Sequence, residues 1–78
     1  MQVEKMKYDF YLGEYQLSIR NKTGEIKKWI DEGSYIQVLT FDYENGGAKI
    51  FIPELCELDI NKNLMLLLSI AKVYGLSD

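Results

Sequence analysis

Three groups of acidic residues are the first place to look for chemistry: Asp31 with Glu32, Asp42 with Glu44, and Glu54 with Glu57 and Asp59. Paired carboxylates support hydrolysis when one is held protonated and the other ionised, which takes a pocket able to push their pKa values apart. Asp31 and Glu32 sit beside Gly33, where a chain ends an element, and the other two groups flank a turn and a proline. These are positions where carboxylates stay solvated, so catalysis by them is not expected. Histidine, the commonest general acid–base, is missing from the sequence. Cys56 is the single cysteine and stands among Leu55, Glu57 and Leu58, with no cation beside it to generate a thiolate. It reads as a small apolar residue. Without histidine, a zinc site would need carboxylates and one thiolate, an unusual set. No GxxxxGK[ST] or GxGxxG pattern occurs, and Gly46-Gly47 reads as a turn. No metal, cofactor or enzymatic activity is expected.

What remains is binding. Asp42, Glu44, Glu54, Glu57 and Asp59 concentrate negative charge late in the chain, interrupted only by Lys49. They read either as a solvated face or as an acidic patch that steers toward a basic partner or imitates nucleic-acid phosphate. Arg20, Lys22, Lys27 and Lys28 are the basic counterpart. They are the candidate holders of an anionic, nucleotide-like ligand, with solvated charge as the plainer reading. The overall formal charge of −3 disfavours nucleic acid as a general partner. Aromatic residues divide in two. Tyr8, Phe10, Phe41 and Tyr43 alternate with polar neighbours in a way that sends them to a core, while Phe51 and Tyr11 fall on more polar faces. There they suit a partner contact or cover by a helix.

The elements that position these residues follow from periodicity. Met6, Tyr8, Phe10 and Leu12 alternate with polar residues, Gly13-Glu14 suits a tight turn, and Tyr15, Leu17 and Ile19 alternate again. That predicts a hairpin. In Thr23–Gly33, Ile26, Trp29 and Ile30 share a helical face, Thr23 could cap and Gly33 could stop, so a short amphipathic helix is expected. The run from Tyr35 to Tyr43, then Glu44-Asn45-Gly46-Gly47, then Ala48 to Ile52, predicts a second hairpin. An Asn45-Gly46 turn sets Asp42 opposite Lys49 and Phe41 opposite Ile50. Leu39, Phe41, Tyr43, Ala48, Ile50 and Ile52 form the expected core face, and Ile36, Val38, Thr40, Asp42, Lys49 and Phe51 the other. Pro53 ends that strand or marks an edge. Glu54–Ile60 suits a short strand or a helical turn, with strand preferred. Asn61-Lys62-Asn63 leads into a helix over Leu64–Tyr74 with Gly75 as its stop.

The expected class is therefore α+β: residues 1–78 as one domain, an antiparallel sheet of four or five strands with two helices, in the order β-β-α-β-β-(β)-α. The last helix is apolar over most of its circumference, more than one sheet face needs. Leu64, Leu67, Leu68, Ala71 and Tyr74 are accordingly the expected homo-oligomer interface. No run of apolar residues approaches a membrane span, no signal-like stretch opens the sequence, and the lone thiol suits the cytoplasm. Lysine, isoleucine, asparagine and tyrosine have AT-rich codons, pointing to an AT-rich bacterium or its phage. Together these features favour a non-enzymatic protein–protein interaction module, more narrowly a small inhibitor of a defence enzyme or toxin. The alternative is a sensor or sequestering protein for a small anionic ligand held between subunits. The partner-contact residues expected for the first reading are Phe51, Asp42, Glu44, Glu54 and Glu57.

Overall fold

The computed structural model describes residues 7–44, 47–54 and 60–76. Five strands form one antiparallel sheet in the order of the chain, and a single helix lies on one face of it. The strands are β1 (Lys7–Leu12), β2 (Tyr15–Arg20), β3 (Thr23–Asp31), β4 (Ser34–Glu44) and β5 (Gly47–Phe51), and α1 spans Lys62–Leu76. The α+β class and the antiparallel sheet agree with the sequence reading. The element order does not, because one expected helix is a strand.

Both expected hairpins form. Tyr8, Phe10 and Leu12 face Ile19, Leu17 and Tyr15 across β1–β2. Gly13 takes φ 59° in the turn between them, a left-handed conformation that costs glycine nothing. Across β4–β5, Asp42 pairs with Lys49 and Phe41 with Ile50, the register of an Asn45-Gly46 turn. Asn45 and Gly46 themselves lie outside the described residues, as do residues 55–59, where a fifth strand was expected.

The helix expected over Thr23–Gly33 is β3, paired on both sides. Thr23 and Gly33 serve turns instead: Thr23 Oγ1 donates to the Arg20 carbonyl (3.2 Å), and the Gly33 N–H donates to Asp31 Oδ1 (2.9 Å). The misleading Ile26, Trp29, Ile30 spacing arises because Trp29 faces the open side of the sheet while Ile26 faces the core, so large apolar residues fall on both faces of the strand. Trp29 pairs with Tyr35 and Asp31 with Ser34, leaving Ile30 as an extra residue near the strand's end. A central strand also gains a ladder on each edge, which outweighs a weak helical pattern.

A second irregularity sits in β4. Ile26 pairs with Leu39 but Lys27 pairs with Gln37, so Val38 is extra. Val38 is buried in the core, although simple alternation would send it to the opposite face. Beyond the bulge the parity of β4 reverses, so Ile36 pairs with Lys28 on the helix side.

The core lies between α1 and the sheet: Leu17, Ile19, Ile26, Leu39 and Phe41 meet Leu64, Leu67 and Ala71. Burying each large aliphatic side chain contributes about 1.5–3 kcal/mol. Gly24, between Ile19 and Phe41, leaves room for the Phe41 ring. The helix begins where the sequence indicates, with Asn61 Oδ1 accepting from the Leu64 N–H (3.0 Å). Asn61 Nδ2 also donates to the Tyr15 hydroxyl (3.1 Å), tying the helix start to β2. At the other end Tyr43 donates to the Ala71 carbonyl (2.8 Å), and Tyr74 stacks on Tyr8 and Phe10. α1 starts two residues before the expected Leu64 and includes Gly75, so Gly75 is not its stop. Because β3 and β4 outrun β1 and β2, their tip projects, giving extents of 41 × 23 × 21 Å.

Candidate functional site

The face of the sheet opposite α1 is uncovered by any described element, and cross-strand pairing arranges it in rows. Lys7, Arg20, Thr23, Asp42 and Lys49 form one row; Asp9, Ser18, Glu25, Thr40 and Phe51 the next. Tyr11, Gln16, Lys27 and Gln37 follow, and Trp29 with Tyr35 closes the grid.

These side chains hold one another. Asp9 Oδ1 accepts from Arg20 Nη2 (3.0 Å), Ser18 Oγ (3.0 Å) and Gln16 Nε2 (3.3 Å). Gln16 Oε1 accepts from Trp29 Nε1 (2.9 Å), and the Trp29 ring lies 4.9 Å from that of Tyr35. Lys27 Nζ stands 4.7 Å from the Tyr35 ring centre and 3.6 Å from Glu25, which also accepts from Gln37 Nε2 (2.8 Å). The chain of contacts runs unbroken from Arg20 to Gln37. Gln16 and Ser18 are buried beneath it despite lying on the open side. Among the described residues no buried side-chain polar atom lacks a partner. Such a network fixes its members' rotamers.

Burial alone would raise the Asp9 carboxyl, but hydrogen bonds from Arg20, Ser18 and Gln16, with the Arg20 charge, hold it below its ordinary value. Asp9 is thus an acceptor at neutral pH and has no proton to give. At the centre is an open hollow of about 470 Å³, lined among others by Arg20, Glu25, Lys27, Gln37, Thr40 and Asp42. Its two cations are matched by two carboxylates. Around the network stand three aromatic side chains, Tyr11 (66% exposed), Tyr35 (49%) and Phe51 (47%). This surface is equipped to recognise another surface by stacking and hydrogen bonding.

The expected site residues fall out as follows. Phe51 and Asp42 lie on this face. Glu54 is exposed in a turn beyond β5, the Glu44 side chain is not described, and Glu57 lies outside the described residues with Cys56 and Asp59. Of the basic set, Arg20 and Lys27 join the network, Lys22 sits in the β2–β3 turn, and Lys28 lies on the helix side near the Tyr15 ring. The four do not converge, and the two that share the hollow face Glu25, Asp9 and Asp42. That balance disfavours a strongly anionic ligand. Asp31 and Glu32 are exposed at the β3–β4 tip. Among the described residues no cluster of acidic, cysteine or histidine side chains could hold a metal ion.

In the expected oligomer interface, Leu64, Leu67 and Ala71 are buried against the chain's own sheet, and Leu68 and Tyr74 pack partly against the same core. They are the inward face of α1, where Leu64, Leu67 and Ala71 are already covered by the chain's own sheet and only the half-buried Leu68 and Tyr74 keep exposed area. The apolar residues that α1 turns outward are Met65, Leu66 and Val73. No described helix is long and apolar enough to cross a membrane.

Sequence reasoning missed Gln16, Trp29, Tyr35 and Gln37. Alternation in β2 did place Gln16 with the polar residues. Tyr35 and Gln37 were hidden by the Val38 bulge, which no residue type announces, and Trp29 by the helical pattern of its segment. No protein-family model, curated protein or solved structure gives a significant match to the chain.

Proposed function

We propose that this chain is a non-enzymatic interaction module that binds a protein partner through the open face of its sheet. The observation that carries the reading is the set of exposed aromatics, Tyr11, Tyr35 and Phe51, around a hydrogen-bonded polar centre. Exposed tyrosines and arginine are residue types that dominate binding energy at protein interfaces. A network already locked before contact lowers the entropy lost on binding. Lys7, Arg20, Lys27 and Lys49 on this face stand against Asp9, Glu25 and Asp42, so its charges nearly balance and select a partner surface by pattern, with the aromatics supplying the affinity. More narrowly, the partner is a bacterial defence enzyme or toxin, and this chain, bacterial or from a phage, blocks it in the cytoplasm.

The test is affinity capture from a bacterial lysate with three baits: the wild type, a Tyr11→Ser/Tyr35→Ser variant, and a Met65→Ser/Val73→Ser variant on the outer side of α1. Circular dichroism first establishes that each bait is folded. A protein retained by the wild type and the helix variant, lost from the sheet variant, and released by salt supports the reading. Loss from the helix variant alone, or identical retention by all three, refutes it.

A further inference from the structure

We propose that the outer edge of β5 pairs antiparallel with the same edge of a second copy, across a two-fold axis at Ile50, joining two sheets into one. The backbone indicates which residues offer hydrogen bonds there. The Tyr43 N–H donates to the Lys22 carbonyl on the β3 side (2.7 Å), so at the Tyr43–Ala48 pair the polar groups point away from each other. Ala48 therefore presents its N–H and C=O to the outer edge of β5. The two-residue alternation of an antiparallel ladder gives Ile50 the same phase, and Ile52 follows it one residue past the strand. Among the described residues no strand pairs with that edge.

Lys49 and the following Pro53 protect this edge only in part. Ile50, Phe51 and Ile52 are consecutive, large, apolar and each about half exposed. Natural sheets shield free edges with charge, proline or bulges, and a run of three such residues is normally covered.

Only a few self-pairings bring the outward-facing groups together. An axis at Lys49 sets two ammonium groups opposite each other, which destabilises a pair. An axis at Phe51 runs the ladder beyond the strand, with Ala48 opposite Glu54. The axis at Ile50 places Ile50 against Ile50, Lys49 against Phe51 of the second copy, and Ala48 against Ile52 of the second copy. All three exposed apolar residues are then covered. Each Lys49 gains an aromatic face, a favourable placement for an ammonium. The three hydrogen-bonded pairs contribute roughly six backbone bonds.

The opposite edge does not do this. Leu12 and Tyr15 flank the two-residue turn and bond to each other, so β1 turns Lys7, Asp9 and Tyr11 outward. Full-length self-pairing of β1 centres on Asp9, whose carboxylate is kept ionised and would meet its own copy. Pairing β1 with β5 is heterologous and would build an open filament instead of a closed dimer. The proposed dimer takes up Phe51, which the partner reading also uses, but leaves Tyr11 and Tyr35 of both copies free, so variants at those two tyrosines test the partner reading without touching the dimer.

One strand edge lies near the small end of stable interfaces, below about 1,200 Å² in total, so the dimer is concentration-dependent. Sedimentation equilibrium from micromolar to millimolar protein is expected to show monomer passing to dimer. Ile50→Lys is expected to remain monomeric throughout. Ile50→Pro is expected to do the same with an unchanged circular dichroism spectrum, because the N–H it removes points away from β4 and pairs with no described strand. As a check on register that needs neither variant, Lys49→Cys/Phe51→Cys in a Cys56→Ser background is expected to oxidise to a disulfide-linked dimer joining positions 49 and 51. A wild type that stays monomeric at millimolar concentration overturns the proposal. So does a dimer that survives Ile50→Lys, or an oxidised double variant with no cross-link between those positions.

Discussion

Replacing Gly24 with alanine pits two opposite expectations against each other. In a strand interior, Gly→Ala ordinarily stabilises by about 0.4–1 kcal/mol, because the unfolded chain loses conformational freedom. Here a Cβ on Gly24 would lie 2.7 Å from Phe41 Cζ and 3.0 Å from the Ser18 carbonyl oxygen. The ring cannot swing aside, since Phe41 is 1% exposed and packed in the core. The carbonyl belongs to the neighbouring strand and is held by the sheet. Overpacking of this kind costs about 1–3 kcal/mol. The net expectation is a loss of about 1–2 kcal/mol, which for a domain of this size lowers Tm by roughly 5–15 °C. Urea and thermal unfolding of Gly24→Ala, followed by circular dichroism, measure it directly. A double-mutant cycle with Phe41→Leu identifies the cause, because shortening the ring should cost less in the alanine background than in the wild type, with a coupling of about 1 kcal/mol. A Gly24→Ala protein as stable as the wild type, or strictly additive effects in the cycle, would refute the close approach of Phe41 to β3.

Three further outcomes are expected. Asn61→Ala removes both the cap on Leu64 and the hydrogen bond to Tyr15, and should destabilise by about 1–2 kcal/mol in urea titration, whereas Asn61→Asp should keep the cap. Leu67→Ala should cost about 2–5 kcal/mol while Met65→Ala and Val73→Ala stay within about 0.5 kcal/mol; equal effects would mean that α1 is rotated about its axis. Burial pushes the Tyr43 hydroxyl up to about 12 from 10.0, so the folded state holds that proton more tightly than the unfolded chain. Its contribution is full below pH 10 and is lost as pH rises toward about 12, so alkaline unfolding curves of the wild type and Tyr43→Phe should converge over that window.

Much of the sheet is legible in the residues, and the exceptions have two causes. In β1, β2 and the β4–β5 hairpin, alternation and turn chemistry agree, so registers such as Asp42–Lys49 follow directly. Thr23–Asp31 reads as helix because Trp29 lies on the open face and Ile26 in the core, so apolar residues on both sides of one strand imitate an i, i+3, i+4 stripe. Val38 is misplaced because it is the extra residue of a bulge in β4. Bulges depend on pairing between strands and leave no local signature. Misreading β3 also hid the candidate site, since Lys27, Trp29 and Glu25 join Gln16, Tyr35 and Gln37 only when Thr23–Asp31 is a strand. The apolar character of α1 is real, but its strongest positions, Leu64 and Leu67, are used inside the chain.

Binding through the open face of the sheet can be read from native mass spectra of the purified protein after incubation in a bacterial lysate. A discrete protein bound to the wild type and missing from the folded Tyr11→Ser/Tyr35→Ser variant is the expected result. A bound species of only a few hundred daltons, or a protein complex indifferent to those two tyrosines, would rule that binding mode out.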